Sequence, residues 1–157
     1  MQYLPVSRHT PSNPPKNYLL RGWVVGLVLA SSTLAMPIQA GTLYQALGSR
    51  PGIHAIVRTF VSNVASDNRI NGYFAHTDLT NLRKMLVLQF CQLSGGPCTY
   101  PGPNMKNTHA SLGVTDAAFN ALVEDLQTSM NKHHVALAAQ NHLIALLAPM
   151  KSDIVTK

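Results

Sequence analysis

Six histidines lie beyond position 40: His54, His76, His109, His133, His134 and His142. With six carboxylates and two cysteines, they are the side chains with which this chain could do chemistry. The carboxylates are scattered and form no evident acid–base pair. No HExxH, GxSxG, P-loop, GxGxxG or CxxCH motif occurs, and no CxxC pair suggests a zinc ribbon. A chain so poor in catalytic side chains but rich in apolar ones suits chemistry borrowed from a cofactor, with an imidazole as its anchor. Any single histidine is more often solvent-exposed or a satisfied core residue, so context must separate a ligand from the rest.

Length and composition narrow the field. The 157 residues, 46% hydrophobic and 11% charged, suffice for one domain with a real core and are too few for two ordinary ones. Ten Gly and ten Pro without a repeat exclude collagen-like and low-complexity chains. Twelve Lys and Arg against six Asp and Glu give a net charge of +6, which invites a nucleic-acid reading. The distribution argues against it, because three of those cations lie in the first 22 residues and no basic stripe follows.

Those first residues carry Arg8, Lys16 and Arg21 and no acid, then an uncharged apolar run over 23–36, then Pro37 and a small residue at Ala40. That order predicts a secretory signal peptide over 1–40, with the working domain over 41–157. The run is shorter than the roughly 20 apolar residues of a spanning helix. The long basic stretch and Ile38 keep an uncleaved membrane anchor as the alternative. The expected location is periplasmic or exported, or inner-membrane anchored if the leader stays; only then is a membrane a partner.

Beyond the leader nearly every segment reads at helical period, and no convincing strand appears, so the fold class is all-α with about seven helices. A short helix is expected over 42–47, ended by Gly48, with 49–52 as a turn. Over 53–66 the residues Ile53, Ile56, Val57, Phe60, Val61 and Val64 form one apolar stripe. A short apolar turn over 70–75 carries Phe74. Asp78 or Thr80 caps a helix to about 94, with Leu82, Leu86, Gln89 and Phe90 on one face and Met85 at its margin. Gly95, Gly96 and Pro97 stop it. A Pro/Gly loop over 98–104 leads to a short helix carrying His109, ended by Gly113. Thr115 caps a helix to 130 with Phe119, Leu122, Val123 and Leu126 inward. A last helix over 137–147 buries Leu143, Ile144 and Leu147.

His109 is the histidine singled out by this layout. It sits on a short helix between two backbone breaks, opposite long apolar helices and the aromatic corner at Phe74. An apolar slot, one imidazole and nearby cations are what a haem requires: an axial ligand, a dry cavity and partners for two propionates.

The order of blocks resembles the group I truncated haemoglobins over nearly all of residues 42–155. The blocks are TLYQALG at 42–48, GIHAIVRTFVSNVASDNRINGYF at 52–74, the apolar helix ending in GGP at 82–97, Tyr100-x-Gly102-x-x-Met105-Lys106-x-x-His109, and LAPMKSDIV at 147–155. The resemblance implies a truncated globin, a two-over-two helical sandwich holding haem b without a covalent bond. It implies His109 as the proximal iron ligand and Phe74, Leu82 and Met105 as haem contacts. Lys106 would lie near a propionate, and Tyr100 in the loop shaping the proximal side.

Several positions depart from the family pattern. Ser49 replaces the second glycine of the opening pair, which the sequence suggests alters little beyond a turn preference. Val61 stands where many members have a Tyr that donates to the gas ligand, and Leu82 and Leu86 stand where Gln is frequent. The expected distal wall is therefore Val61, Leu82 and Leu86, without a donor. A lost hydrogen bond of about 1.5–3 kcal/mol weakens O2 retention roughly 10- to 100-fold. CO and NO depend less on it. Gln89, one turn beyond Leu86, is either a rescuing amide donor or a tunnel or surface residue.

The expected function is reversible binding of O2, NO and CO at a His-ligated haem iron, with an unidentified reductase or electron donor. NO dioxygenation or a peroxidase-like activity would be secondary. A second reading is an electron-transfer or redox-sensing haem protein with Met85 or His76 as sixth ligand. A third is a haem-free helical interaction domain. Cys91 and Cys98 lie at a helix end and in the following loop; export would expose them to oxidants, and both a bridge and free thiols stay open.

Overall fold

A computed structural model describes residues 41–157; the expected leader and its cleavage point lie outside the described residues. Helix α1 spans Leu43–Ala46, with Thr42 and Gln45 forming a reciprocal capping box. Helix α2 spans Ser49–Ser66 and buries the six apolar residues that the periodicity assigned to its inner stripe. A one-turn 3-10 helix follows at Asn71–Phe74. Helix α3 spans Leu79–Leu93, capped by the Asp78 carboxylate, which accepts from the backbone N–H of Thr80 and Asn81.

Helix α4 is the five-residue Met105–His109, capped by Asn104. Helix α5, Asp116–Lys132, begins at a Thr115 cap. Helix α6 is Leu137–Leu147, and a short 3-10 turn at Ala148–Met150 leads into α7, Lys151–Ile154. Among the described residues there is no strand, only an isolated parallel bridge between Val114 and Val155. No helix among them is long and apolar enough to cross a membrane.

Helix α2 is the hub. It packs on α3 and on α5, while α3 and α5 each touch α6. The result is two helix pairs, α2 with α3 and α5 with α6, laid against one another. The rings of Phe60 and Phe90 stack across the first pair with centroids 6.4 Å apart. The hydroxyl of Ser129, fully buried on α5, donates to the Ile56 carbonyl at 2.6 Å and ties α5 to α2. A buried hydroxyl needs such a partner, and a carbonyl has a second lone pair to give.

Residues 49–52 differ from the expected turn, because they form the first turn of α2. Pro51 is tolerated there, since the first N–H groups of a helix have no partner to lose. The reversal is made by Gly48 at φ 80° and Ser49 at φ 55°. Ser49 is therefore a left-handed residue with a Cβ, so the lost glycine carries a real backbone cost. Gly52 has a separate reason, as a Cβ there would lie 2.2 Å from the Leu47 carbonyl oxygen.

The two cysteines form a disulfide, Cys91–Cys98, with Cα atoms 5.7 Å apart. It pins the end of α3 to the loop that leads to α4. Separately, the Val114 carbonyl accepts from the N–H of Thr156 at 2.9 Å, and α7 lies against α4.

Candidate functional site

Two adjoining cavities, of about 250 and about 190 Å3, open between the α2–α3 pair and α5. They share walls made by Phe74, Leu82, Phe119, Leu122, Ile154 and His109. Of the sequence-assigned residues, Val61, Leu82, Leu86, Gln89, Phe74, Tyr100, Met105 and His109 all line this space.

Among the described residues, His109 is the one histidine that lines either cavity. It is half-buried at the C-terminal end of α4, where its Nδ1 lies 2.8 Å from the Met105 carbonyl oxygen one turn back. That partner is an acceptor only, so Nδ1 carries the proton and donates. Nε2 is then the nitrogen with its lone pair free, the arrangement that orients metal-binding imidazoles. The short helix is set between the Pro/Gly loop and Gly113, at φ 63°. The other imidazoles have different settings. His133 pairs with Thr59 Oγ1 at 2.9 Å, and His54 lines a separate surface groove.

The wall facing α2 and α3 is apolar except at one point. Gln89 is buried at 8% exposure, and among the α2 and α3 residues lining the cavity its amide is the sole hydrogen-bond donor. Its Nε2 has only the Met150 sulfur as partner, at 3.5 Å. A thioether is a weak acceptor, so this donor is largely unspent. The donorless distal wall expected from Val61, Leu82 and Leu86 is thus incomplete.

On the other side, Tyr100 donates its hydroxyl to the Pro103 carbonyl, and its backbone N–H donates to Gln92 Oε1. Burial against the cavity pushes its phenol pKa up, so it stays protonated. Phe119, Leu122 and Val123 on α5 were expected in the core; they are half-buried and line the cavity instead. Helical period marks a face as apolar without saying whether protein or a bound group covers it.

Three expected residues stand elsewhere. Met85 and His76 line neither cavity, so neither is placed as a sixth ligand. Met85 is three residues past Leu82 and leaves α3 to one side of the Leu82–Leu86–Gln89 row. His76 is exposed in the bend before α3. Lys106 is exposed on α4, outside the lining. Conversely, Thr108, Met150 and Ile154 line the space without having been singled out, and Leu147, expected in the core, lines it too. The closing LAPMKSDIV block contains three of them, and its apolar positions were the signal available.

The donor chemistry bears on what the space can hold. Among the described residues no three His, Cys, Asp or Glu side chains gather as a metal site of their own. One free imidazole nitrogen in an apolar slot matches a metal that brings its other ligands with it, as a metalloporphyrin does.

Comparison with known proteins fits that geometry. The model of the bacterial-like globin family matches residues 42–156. A group 1 truncated haemoglobin of Tetrahymena pyriformis is 28% identical over 116 residues, covering 74% of this chain and 96% of the relative. One of Nostoc commune is 30% identical over 116 residues, covering 74% of this chain and 98% of the relative. The crystal structure of the Tetrahymena pyriformis truncated haemoglobin in its Fe(III) form superposes with a TM-score of 0.71 at 27% identity, covering 74% of this chain and all of that one.

Proposed function

The chain belongs to the bacterial-like globin family, and from that premise we propose that it holds haem b through His109 and binds O2, NO and CO reversibly. The fold is the two-over-two helical sandwich of the truncated haemoglobins. The observation that carries the proposal is the placement of one imidazole, with Nδ1 committed to a carbonyl and Nε2 free, on the wall of an otherwise apolar cavity.

When bound, haem supplies an iron with an open coordination position for a diatomic gas. The residues of this chain do the rest. Met105 accepts the Nδ1 proton of His109 and fixes the ring's orientation. Phe74, Leu82, Leu86, Phe119 and Leu122 keep water out. Val61, Leu82 and Leu86 offer no proton to a ligand, and Gln89 holds one at Nε2. Lys106, exposed at the start of α4, is the cation expected at a propionate. Nothing in the placement of Met85 or His76 favours an internally six-coordinate iron. Reduction falls to an external electron donor, and the bridged cysteines support the expectation of an oxidising, exported setting.

The test is haem titration of the His109→Ala variant. Wild-type protein should take up one equivalent of haemin and give a Soret band that sharpens and shifts with CO after reduction. His109→Ala, with helix content unchanged by circular dichroism, should lose both signals. Equal uptake with an identical spectrum would overturn the proposal.

A further inference from the structure

The apolar cavity is not the sole concavity of the described residues. A surface groove of about 520 Å3 lies between α2 and α3, within the size range of small-ligand sites. Helix α2 contributes Arg50, His54 and Arg58, and α3 contributes Arg83 and Lys84. Val57 and Val87, both buried, lie among the apolar residues that complete the lining. None of the chain's six carboxylates lines the groove. The ion pairs among the described residues engage Arg69 and Lys151 and lie elsewhere.

Four fixed positive charges therefore face one concavity without a counter-charge from the protein. One of them carries a further mark, because Arg83 Nε is buried and has no hydrogen-bond partner. A desolvated guanidinium N–H without an acceptor is costly, and guanidinium forks match phosphate oxygens in geometry and charge.

We propose that this groove binds a phosphate-bearing anion, free in solution or carried on a lipid headgroup, with Arg83 and Arg58 as its principal partners. Phosphate fits better than a lone carboxylate, since its several oxygens and higher charge can take donors from both helices at once. The site is separate from the haem cavity, because α3 turns Leu82, Leu86 and Gln89 to the cavity and Arg83, Lys84 and Val87 to the groove.

The experiment titrates the full chain with ATP and with pyrophosphate by calorimetry, and separately with phosphatidylglycerol and phosphatidylcholine vesicles by cosedimentation. Saturable one-to-one binding that weakens with salt is expected. Arg83→Gln and Arg58→Gln should each weaken it about tenfold or more. Lys157→Gln, which makes the same change of charge beside Gly113 and outside the groove lining, should leave it unchanged. Circular dichroism checks that each variant is folded. Arg83-dependent binding of ATP or pyrophosphate supports the site with a free phosphate as ligand. Arg83-dependent binding confined to phosphatidylglycerol supports it with a headgroup as ligand. Absence of saturable binding in both arms overturns the proposal. So does an equal loss in Lys157→Gln, or vesicle binding that phosphatidylcholine matches.

Discussion

On the proposed function, Gln89 is the side chain on which oxygen retention turns. Its amide is buried in the wall of the cavity and spends its proton on nothing better than a sulfur 3.5 Å away. A gas ligand carrying partial negative charge is a stronger acceptor, and the gain is about 1.5–3 kcal/mol. Gln89→Leu should therefore speed O2 dissociation roughly 10-fold or more, while CO dissociation changes much less. Stopped-flow displacement of each gas checks this. Equal rates in variant and wild type would reduce Gln89 to a wall residue. Val61, Leu82, Leu86 and His109 line one cavity, at positions where family spacing and helical period agree. The sequence left Gln89 open, because its partner Met150 is 61 residues away and no local pattern links them. Met85 and His76 show the reverse: their residue types suit iron, and only the fold shows that they line neither cavity.

At the level of elements, the start of α2 holds stored cost. Ser49 sits at φ 55°, where a residue with a Cβ costs about 1–2 kcal/mol relative to the right-handed region. Ser49→Gly should relieve most of that, and the greater freedom of glycine in the unfolded chain returns a part. The expected net effect is a stabilisation of about 0.5–1 kcal/mol, read as a higher urea midpoint at unchanged slope. An unchanged or lower midpoint would show that the turn is not strained. This element was misread as a free turn because Pro51 and Gly52 are breakers in most contexts. Both are admissible here, Pro51 because it lies in a first turn and Gly52 because the Leu47 carbonyl leaves no room for a Cβ. The inner stripe of α2 was legible in full, since protein covers it. The stripe of α5 was legible only as apolar, since Phe119, Leu122 and Val123 front the cavity.

Over the whole molecule, the all-α class and the order of helices followed from periodicity and caps, while the closing contacts did not. The Cys91–Cys98 bridge is one of these, because its formation depends on a 5.7 Å approach that sequence separation alone leaves undetermined. It closes a short loop, and constraint of the unfolded chain by such a loop contributes about 2–3 kcal/mol. The double variant Cys91→Ala with Cys98→Ala should lose that much stability in urea titration under non-reducing conditions. Reductant should lower the wild-type midpoint similarly and leave the variant unmoved. A wild-type midpoint indifferent to reductant would mean that the loop is held by its other contacts.

The contact between α4 and α7 sets an order of events. Five residues are too few for a helix to persist unaided, so α4 relies on neighbours to stay seated. One of those neighbours, with the Ile154 wall, is translated long after His109 itself. A ribosome that has just extruded α4 has delivered the imidazole without the segment that steadies it. If His109 holds the porphyrin as proposed, its loading belongs to the period after α7 has emerged, and a nascent chain stalled before that point would be a poor acceptor.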